Sequence, residues 1–144
     1  MATRNTSKLR ELIQTTLTDD TGVGSLEALL GSSGRIINGN PNNVAEYPCV
    51  SWQILGGEDE PYNPNIETGI ERSYLVVEVF GNTENPDALG PIEDRVYSLL
   101  HGQILSNSDI RVYSCQRTST ENIYEPEVRV WRLVSKYNLV NSPI

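Results

Sequence analysis

The sequence is poor in the residues that most often carry chemistry. It contains one histidine, His101, one methionine, and two cysteines, Cys49 and Cys115. A Ser–His–Asp or Cys–His catalytic pair would have to use His101, and no Gly-x-Ser-x-Gly elbow accompanies it. One histidine and two distant cysteines do not fit any zinc-binding spacing. We therefore expect no enzyme activity, no metal and no cofactor, and we expect both cysteines to be buried free thiols.

Long apolar runs and basic clusters are also missing. No stretch approaches the ~20 apolar residues that a membrane helix needs. Residues 1–10 are polar and lack the apolar centre of a signal peptide, so we expect the chain to stay in the cytoplasm where it is made. Eleven basic residues are scattered among 19 acidic ones, for a net charge of −8. Such a balance does not suit binding to a phosphate backbone.

Two segments have the apolar spacing of amphipathic helices. The first helix is predicted over residues 7–18, with an apolar face formed by Leu9, Leu12, Ile13, Thr16 and Leu17. A short helical turn over residues 25–30, closed by Gly31, is predicted to follow. The second main helix is predicted from residue 87 or 90 to His101, with Gly102 as its stop.

The remaining apolar segments have the alternation of strands. Strands are predicted over residues 35–37, 48–55, 69–80, 110–117 and 128–139. Gly56-Gly57 is expected to end the second of these. Residues 69–80 and 128–139 are apolar on both faces, which favours a place in the middle of a layered structure or under subunit contacts.

The order of these elements predicts an α+β fold. Consecutive strands without intervening helices favour antiparallel pairing, so we expect a mostly antiparallel four- to five-stranded sheet with two main helices packed on it, in the order α-α-β-β-β-α-β-β. The chain is expected to form a single domain over residues 1–144. Its ends, residues 1–6 and 140–144, are expected to be flexible or to serve as contact arms.

Two polar segments between strands are predicted to be long loops. Residues 58–68 provide eleven residues where a hairpin uses two to five, and residues 118–125 form the second loop. From loop and aromatic placement we predict subunit or partner contacts at Glu58, Asp59, Glu60, Tyr62, Tyr124 and Trp131. Two solvated excursions without any contact role are the alternative interpretation of these loops.

Several segments together resemble the tail terminator or tail completion family of tailed phages. They are a Tyr-Pro-Cys-Val-Ser-Trp-Gln strand at 47–53, a Leu-Val-Val-Glu-Val-Phe-Gly strand at 75–81, an Ile-Glu-Asp-Arg-Val-Tyr-Ser-Leu-Leu-His-Gly helix at 92–102, and Tyr-Glu-Pro-Glu at 124–127 before the last strand. The resemblance extends from about Leu9 to Leu139. The acidic loop at 58–68 has no counterpart that we can assign in the family.

The resemblance implies a structural virion protein without catalytic residues. It implies a ring, commonly a hexamer, that caps the head-proximal end of the tail tube, stops tube polymerisation and offers a surface for joining the head. The implied partners are further copies of the chain, the tail tube protein, a head connector or stopper protein and possibly a sheath protein. DNA would pass through the lumen without specific binding, and the protein would assemble in the host cytoplasm without contacting a membrane.

Two other functions remain open on the sequence alone. A different neck component, such as a head–tail stopper or adaptor, would also be a ring-former of this size. A small acidic binding protein, for instance an inhibitor, would share the charge and the lack of catalytic groups but would be monomeric.

Overall fold

The described residues form three α-helices and one sheet. The computed structural model describes residues 6–39, 46–59 and 70–144. The helices are α1 (Thr6–Thr18), α2 (Leu26–Leu30) and α3 (Gly90–Leu100). The strands are β1 (Ile36–Asn38), β2 (Cys49–Asp59), β3 (Glu71–Gly81), β4 (Leu105–Ser106), β5 (Ile110–Glu125) and β6 (Val130–Pro143).

The three predicted helical segments are confirmed, and local signals define their ends. The Ser25 hydroxyl accepts the backbone N–H of Ala28 at 3.1 Å and so caps the start of α2. Gly31 ends α2 at φ 90°, a left-handed conformation that glycine adopts without steric cost. A 3₁₀ turn over Pro86–Leu89 precedes α3, which explains why the sequence offered two starting points for that helix.

The α+β class is confirmed, but the predicted count of four to five strands is wrong. Within the part of the chain that the structure describes, six strands form one sheet in the order β1-β2-β3-β6-β5-β4. All neighbours are antiparallel except β1 and β2, which run parallel with Ile36 opposite Val50. β4 has only two residues and no alternation to read, so its pairing with β5 is set by tertiary structure.

The core lies between the helices and one face of the sheet. Burial of apolar side chains on this face is the main stabilising term of the fold. Trp52 is fully buried and its indole N–H donates to the Gln14 side chain at 2.7 Å, which ties β2 to α1. The other core side chains come from α1, α2, α3 and the sheet, and the largest fully buried ones include Leu9, Ile13, Leu17, Leu26, Leu30, Leu75, Leu100, Ile110, Tyr137 and Leu139.

The opposite face of the sheet carries a second, smaller apolar group. Cys49, Val76, Val130 and Val134 are buried there and lie outside the main core cluster. From the sequence we expected strands that are apolar on both faces to lie in the middle of a layered structure or under subunit contacts. The second possibility requires apolar surface left open for neighbouring subunits. Because Val76 and Val134 are only 5% and 7% exposed in the isolated chain, these positions do not supply such a surface.

Three strands extend further than their sequences predicted. β2 continues through Gly56-Gly57 to Asp59, with a change of register between Ile54 and Gly57 that marks a bulge. β5 continues to Glu125, so residues 118–125 are strand and the predicted loop there is wrong. β6 continues to Pro143, so residues 140–143 are paired strand instead of a flexible arm.

Candidate interaction surface

The residues predicted as contacts fall into two separate places. Tyr124 on β5 and Trp131 on β6 are paired across the hairpin, with ring centroids 5.1 Å apart. Glu58 and Asp59 lie in the last two positions of β2, opposite Arg72 and Glu71 of β3, at the other end of the sheet. Glu60 and Tyr62 lie outside the described residues.

The tip of the β5–β6 hairpin exposes large side chains. Residues 126–129 make the turn, where Val128 is 64% exposed, and Tyr124 just before it is 43% exposed. Residues 118–122 are all exposed as well. The side chains of residues 118–122 are therefore not buried within the subunit. Exposed apolar side chains at the tip of a hairpin are typical of surfaces that contact other proteins.

A cleft of about 400 Å³ lies beside this tip. The indole N–H of Trp131 donates to the backbone carbonyl of Glu84 at 3.4 Å and joins the hairpin to the segment that follows β3. The cleft is lined by Asn82, Thr83, Glu84, Tyr124, Arg129 and Trp131. Of these, the sequence had predicted only the two aromatic residues, because the other four carry no periodic signal.

Arg129 has an unusual backbone conformation in this cleft. Its φ is 55°, the one positive value among non-glycine residues of the described ranges. A side chain in the left-handed region is disfavoured by about 1 kcal/mol or more relative to glycine. The hairpin turn therefore has an arginine at a position where the backbone conformation favours glycine.

The groups with most potential for chemistry have structural surroundings. Nδ1 of His101 accepts the backbone N–H of Arg117 at 3.0 Å, and its ring stacks on Tyr97 at 4.5 Å. The Arg117 guanidinium lies 4.1 Å above the same Tyr97 ring. His101 therefore joins the end of α3 to the edge of β5, near the helix end where the sequence placed it.

Both cysteines are buried free thiols, as predicted. Burial raises the pKa of Cys49 to about 11 and that of Cys115 to about 12. Because the thiolate is the reactive form, both side chains are poor nucleophiles at neutral pH. Within residues 6–39, 46–59 and 70–144, no group of three or more histidine, cysteine or acidic residues is placed to hold a metal ion.

No helix within the described ranges is long and apolar enough to cross a membrane. The surface features of the described residues include the exposed hairpin tip and the cleft beside it. Such features favour binding to other proteins over transformation of a small molecule.

Comparison with known proteins agrees with this arrangement. The family model of the tail completion protein gp17 matches residues 11–141. A chain from the structure of the virion of a native gene transfer agent particle has the same fold, with a TM-score of 0.71 and 16% identity over 93% of this chain and 94% of that chain. No curated protein matches the sequence.

The family match extends over nearly the whole chain, from within α1 to the last residues of β6. The resemblance seen in the sequence is thereby confirmed. This chain belongs to the tail completion protein gp17 family and is therefore a structural protein of a phage tail.

Proposed function

We propose that the chain is a tail terminator: a ring-forming subunit that caps the head-proximal end of the tail tube, stops its growth and provides the surface for joining the head. The match to the tail completion family over residues 11–141 is the observation that carries this proposal. The proposal adds three things to family membership: a position on the tail tube, assembly as a ring, and the task of ending tube growth.

The distribution of surface features supports a ring. A closed ring needs heterologous contacts, in which one patch of a subunit faces a different patch of the next. The hairpin tip with Tyr124 and Val128 lies at one end of the sheet, and the end of β2 with Glu58 and Asp59 lies at the other. Two chemically unlike segments at opposite ends of the sheet are consistent with this requirement.

Charge and chemistry support a structural role around DNA. With a net charge of −8, the subunit repels a phosphate backbone, so DNA would pass through the lumen without specific binding. The proposed partners are other copies of the chain, in a ring that is commonly a hexamer, the tail tube protein, a head connector or stopper, and a sheath protein where the tail has one. In this role the chain has no catalytic activity.

Electron microscopy of particles that lack the protein tests the role. A terminator predicts overlong tails or tails of normal build that are not joined to heads. Filled heads that lose their DNA would instead identify a head–tail stopper, and normal particles would rule out any part in joining. An inhibitor-type binding protein would likewise leave particle structure unchanged.

The contact residues are tested separately from the role. We propose Glu58, Asp59, Glu60, Tyr62, Tyr124 and Trp131 as contacts with neighbouring subunits or tail partners. Replacing Glu58, Asp59 and Glu60 together with serine is expected to preserve the far-ultraviolet circular dichroism spectrum and to reduce the yield of joined particles. A triple variant that assembles infectious particles at the normal yield would remove the acidic segment from the contact surface.

A further inference from the structure

The outer edge of β5 has backbone groups without a strand partner. β4 pairs only with Arg111 and Val112, and the end of α3 covers the next stretch, where Gly102 N–H donates to the Cys115 carbonyl at 2.8 Å and His101 accepts from Arg117. Beyond that point, no described residue forms a strand on the outer side of residues 119–125, here called the β5 edge. Unpaired edges of this length are templates for pairing with another chain.

The outer edge of β2 is open at the opposite end of the sheet. β1 pairs with β2 only at Val50, Ser51 and Trp52. In the described part of the chain no strand flanks the outer side of residues 53–59, here called the β2 edge. The subunit therefore has two open edges of seven residues each, one on either side of its sheet, and a bulge between Ile54 and Gly57 interrupts the β2 edge.

We propose that the β5 edge of one copy pairs antiparallel with the β2 edge of the next, with Tyr124 opposite Ile54 and Ile123 opposite Leu55. The sheet would then run on from subunit to subunit. This inference rests on the proposed ring and names the contact that closes it.

The two edges have the right direction for this pairing. β5 and β2 run antiparallel to each other within one subunit, because three antiparallel steps separate them in the sheet. In a ring whose subunits are related by rotation about one axis, the strands of neighbouring copies keep the same sense along that axis. The β5 edge therefore meets the next β2 edge antiparallel, as all neighbouring strands of this sheet do except β1 and β2.

In this register the paired side chains are apolar or aromatic, and the two members of each pair lie on the same face of the sheet. Ile54 packs against the core and Tyr124 pairs with Trp131, so both side chains lie on the helix-covered face of the sheet. Leu55, which is 47% exposed, and Ile123 lie on the other face. The register thus places two apolar pairs opposite each other, and cross-strand apolar pairs of this kind stabilise sheets.

The required offset agrees with ring geometry. Through the observed register, Tyr124 lies level with Trp131 and Gly81, and so with Pro48, the residue before Cys49 in β2. If Ile54 of the next copy lies at that level instead of Pro48, the next copy is shifted along the strands by six residues, or about 20 Å. Four strand spacings, about 19 Å in total, separate β2 of one copy from β2 of the next. The strands would tilt by about 45°, close to the 35–45° found in closed β-barrels.

Among the described elements, those that flank the two edges stop short of them. On β5, both β4 and the end of α3 stop at or before Arg117, so they flank the edge without covering it. On β2, β1 ends at Asn38 opposite Trp52.

Disulfide trapping of the full chain tests the contact. In the variant Leu55→Cys with Ile123→Cys, mild oxidation is expected to give a ladder of covalent multimers on a denaturing gel, lost on reduction. A bond within one copy is excluded because three strand spacings, about 14 Å, separate β2 from β5, well beyond the ~7 Å limit for bridged Cα atoms. The native cysteines are buried and supply little background.

Matched variants make each outcome decisive. The two single-cysteine variants and Leu55→Cys with Val128→Cys are expected to give no ladder, and a Leu55→Ser with Ile123→Ser variant checks that the fold survives. Sedimentation of the wild type is measured in parallel. An oligomer without a ladder in the first double variant would overturn edge pairing and leave the ring standing, whereas a wild-type monomer, alone and with tail tubes, would overturn both.

Discussion

Arg95 on α3 donates two side-chain hydrogen bonds to the Asp20 carboxylate, from Nε at 2.7 Å and from Nη2 at 2.5 Å. The two residues are 75 positions apart in the sequence. The same carboxylate accepts the backbone N–H of Leu26 at 2.7 Å. Asp20 therefore holds the start of α2 and the middle of α3 in one arrangement, beside the end of α1. The hydrogen bonds from Arg95 lower the pKa of Asp20 below its usual value.

Asp20→Ala is expected to destabilise the protein by about 1 kcal/mol or more at pH 7, because α2 loses a capping hydrogen bond and Arg95 loses its partner. A carboxylate whose folded pKa is lowered stabilises the fold above its unfolded pKa, and this contribution disappears as pH falls through the folded pKa. Urea unfolding at several pH values should therefore show a difference from wild type that is full at neutral pH and shrinks in acid. Asp19→Ala, at an exposed neighbouring carboxylate, is the control and should have little effect.

Gly81 is a point of close packing between the end of β3 and the turn before α3. A Cβ at this position would lie 2.4 Å from Cδ2 of Leu89, whose side chain is buried. Gly81→Ala is expected to destabilise the fold by about 1–3 kcal/mol through overpacking. Thermal unfolding of Gly81→Ala, Leu89→Ala and the double variant checks the cause. The double variant should be destabilised by less than the sum of the two single variants, because Leu89→Ala removes the atoms that the new Cβ would meet. A double variant whose destabilisation equals that sum would contradict the packing account.

Arginine at position 129 is expected to make the fold less stable than glycine would at the same position. Arg129→Gly should raise the free energy of unfolding by up to about 1 kcal/mol, because glycine adopts the left-handed conformation without the cost of a side chain. Glu127→Gly in the same turn, where φ is not positive, is the control and should be neutral or destabilising. If the cleft contacts tail partners, Arg129→Gly particles should also join less efficiently than those carrying Glu127→Gly.

The helices were predictable from sequence because their signals are local. The apolar stripe of α1, the Ser25 and Gly31 caps of α2 and the Gly102 stop after α3 each lie within a few residues of the feature they define. The central strands β3 and β6 were also recognisable, since burial on both faces leaves a nearly continuous apolar run. These elements sufficed to predict the fold class.

What the sequence did not reveal depends on partners distant in the chain. Residues 118–125 are polar and exposed, and only pairing with β6 makes them a strand. The glycine pair at 56–57 looked like a strand end, but β3 continues opposite and carries β2 past it through a bulge. In the candidate surface, Tyr124 and Trp131 were found by type, whereas Arg129 became visible only through its backbone conformation.

Sedimentation velocity of the purified full chain, at micromolar concentration and with or without tail tubes, tests the account most directly. A subunit of 16.0 kDa that closes rings should sediment as one discrete oligomer, either alone or once tubes are added. A single species of 16.0 kDa under both conditions would contradict the proposal that this tail completion protein works as a ring.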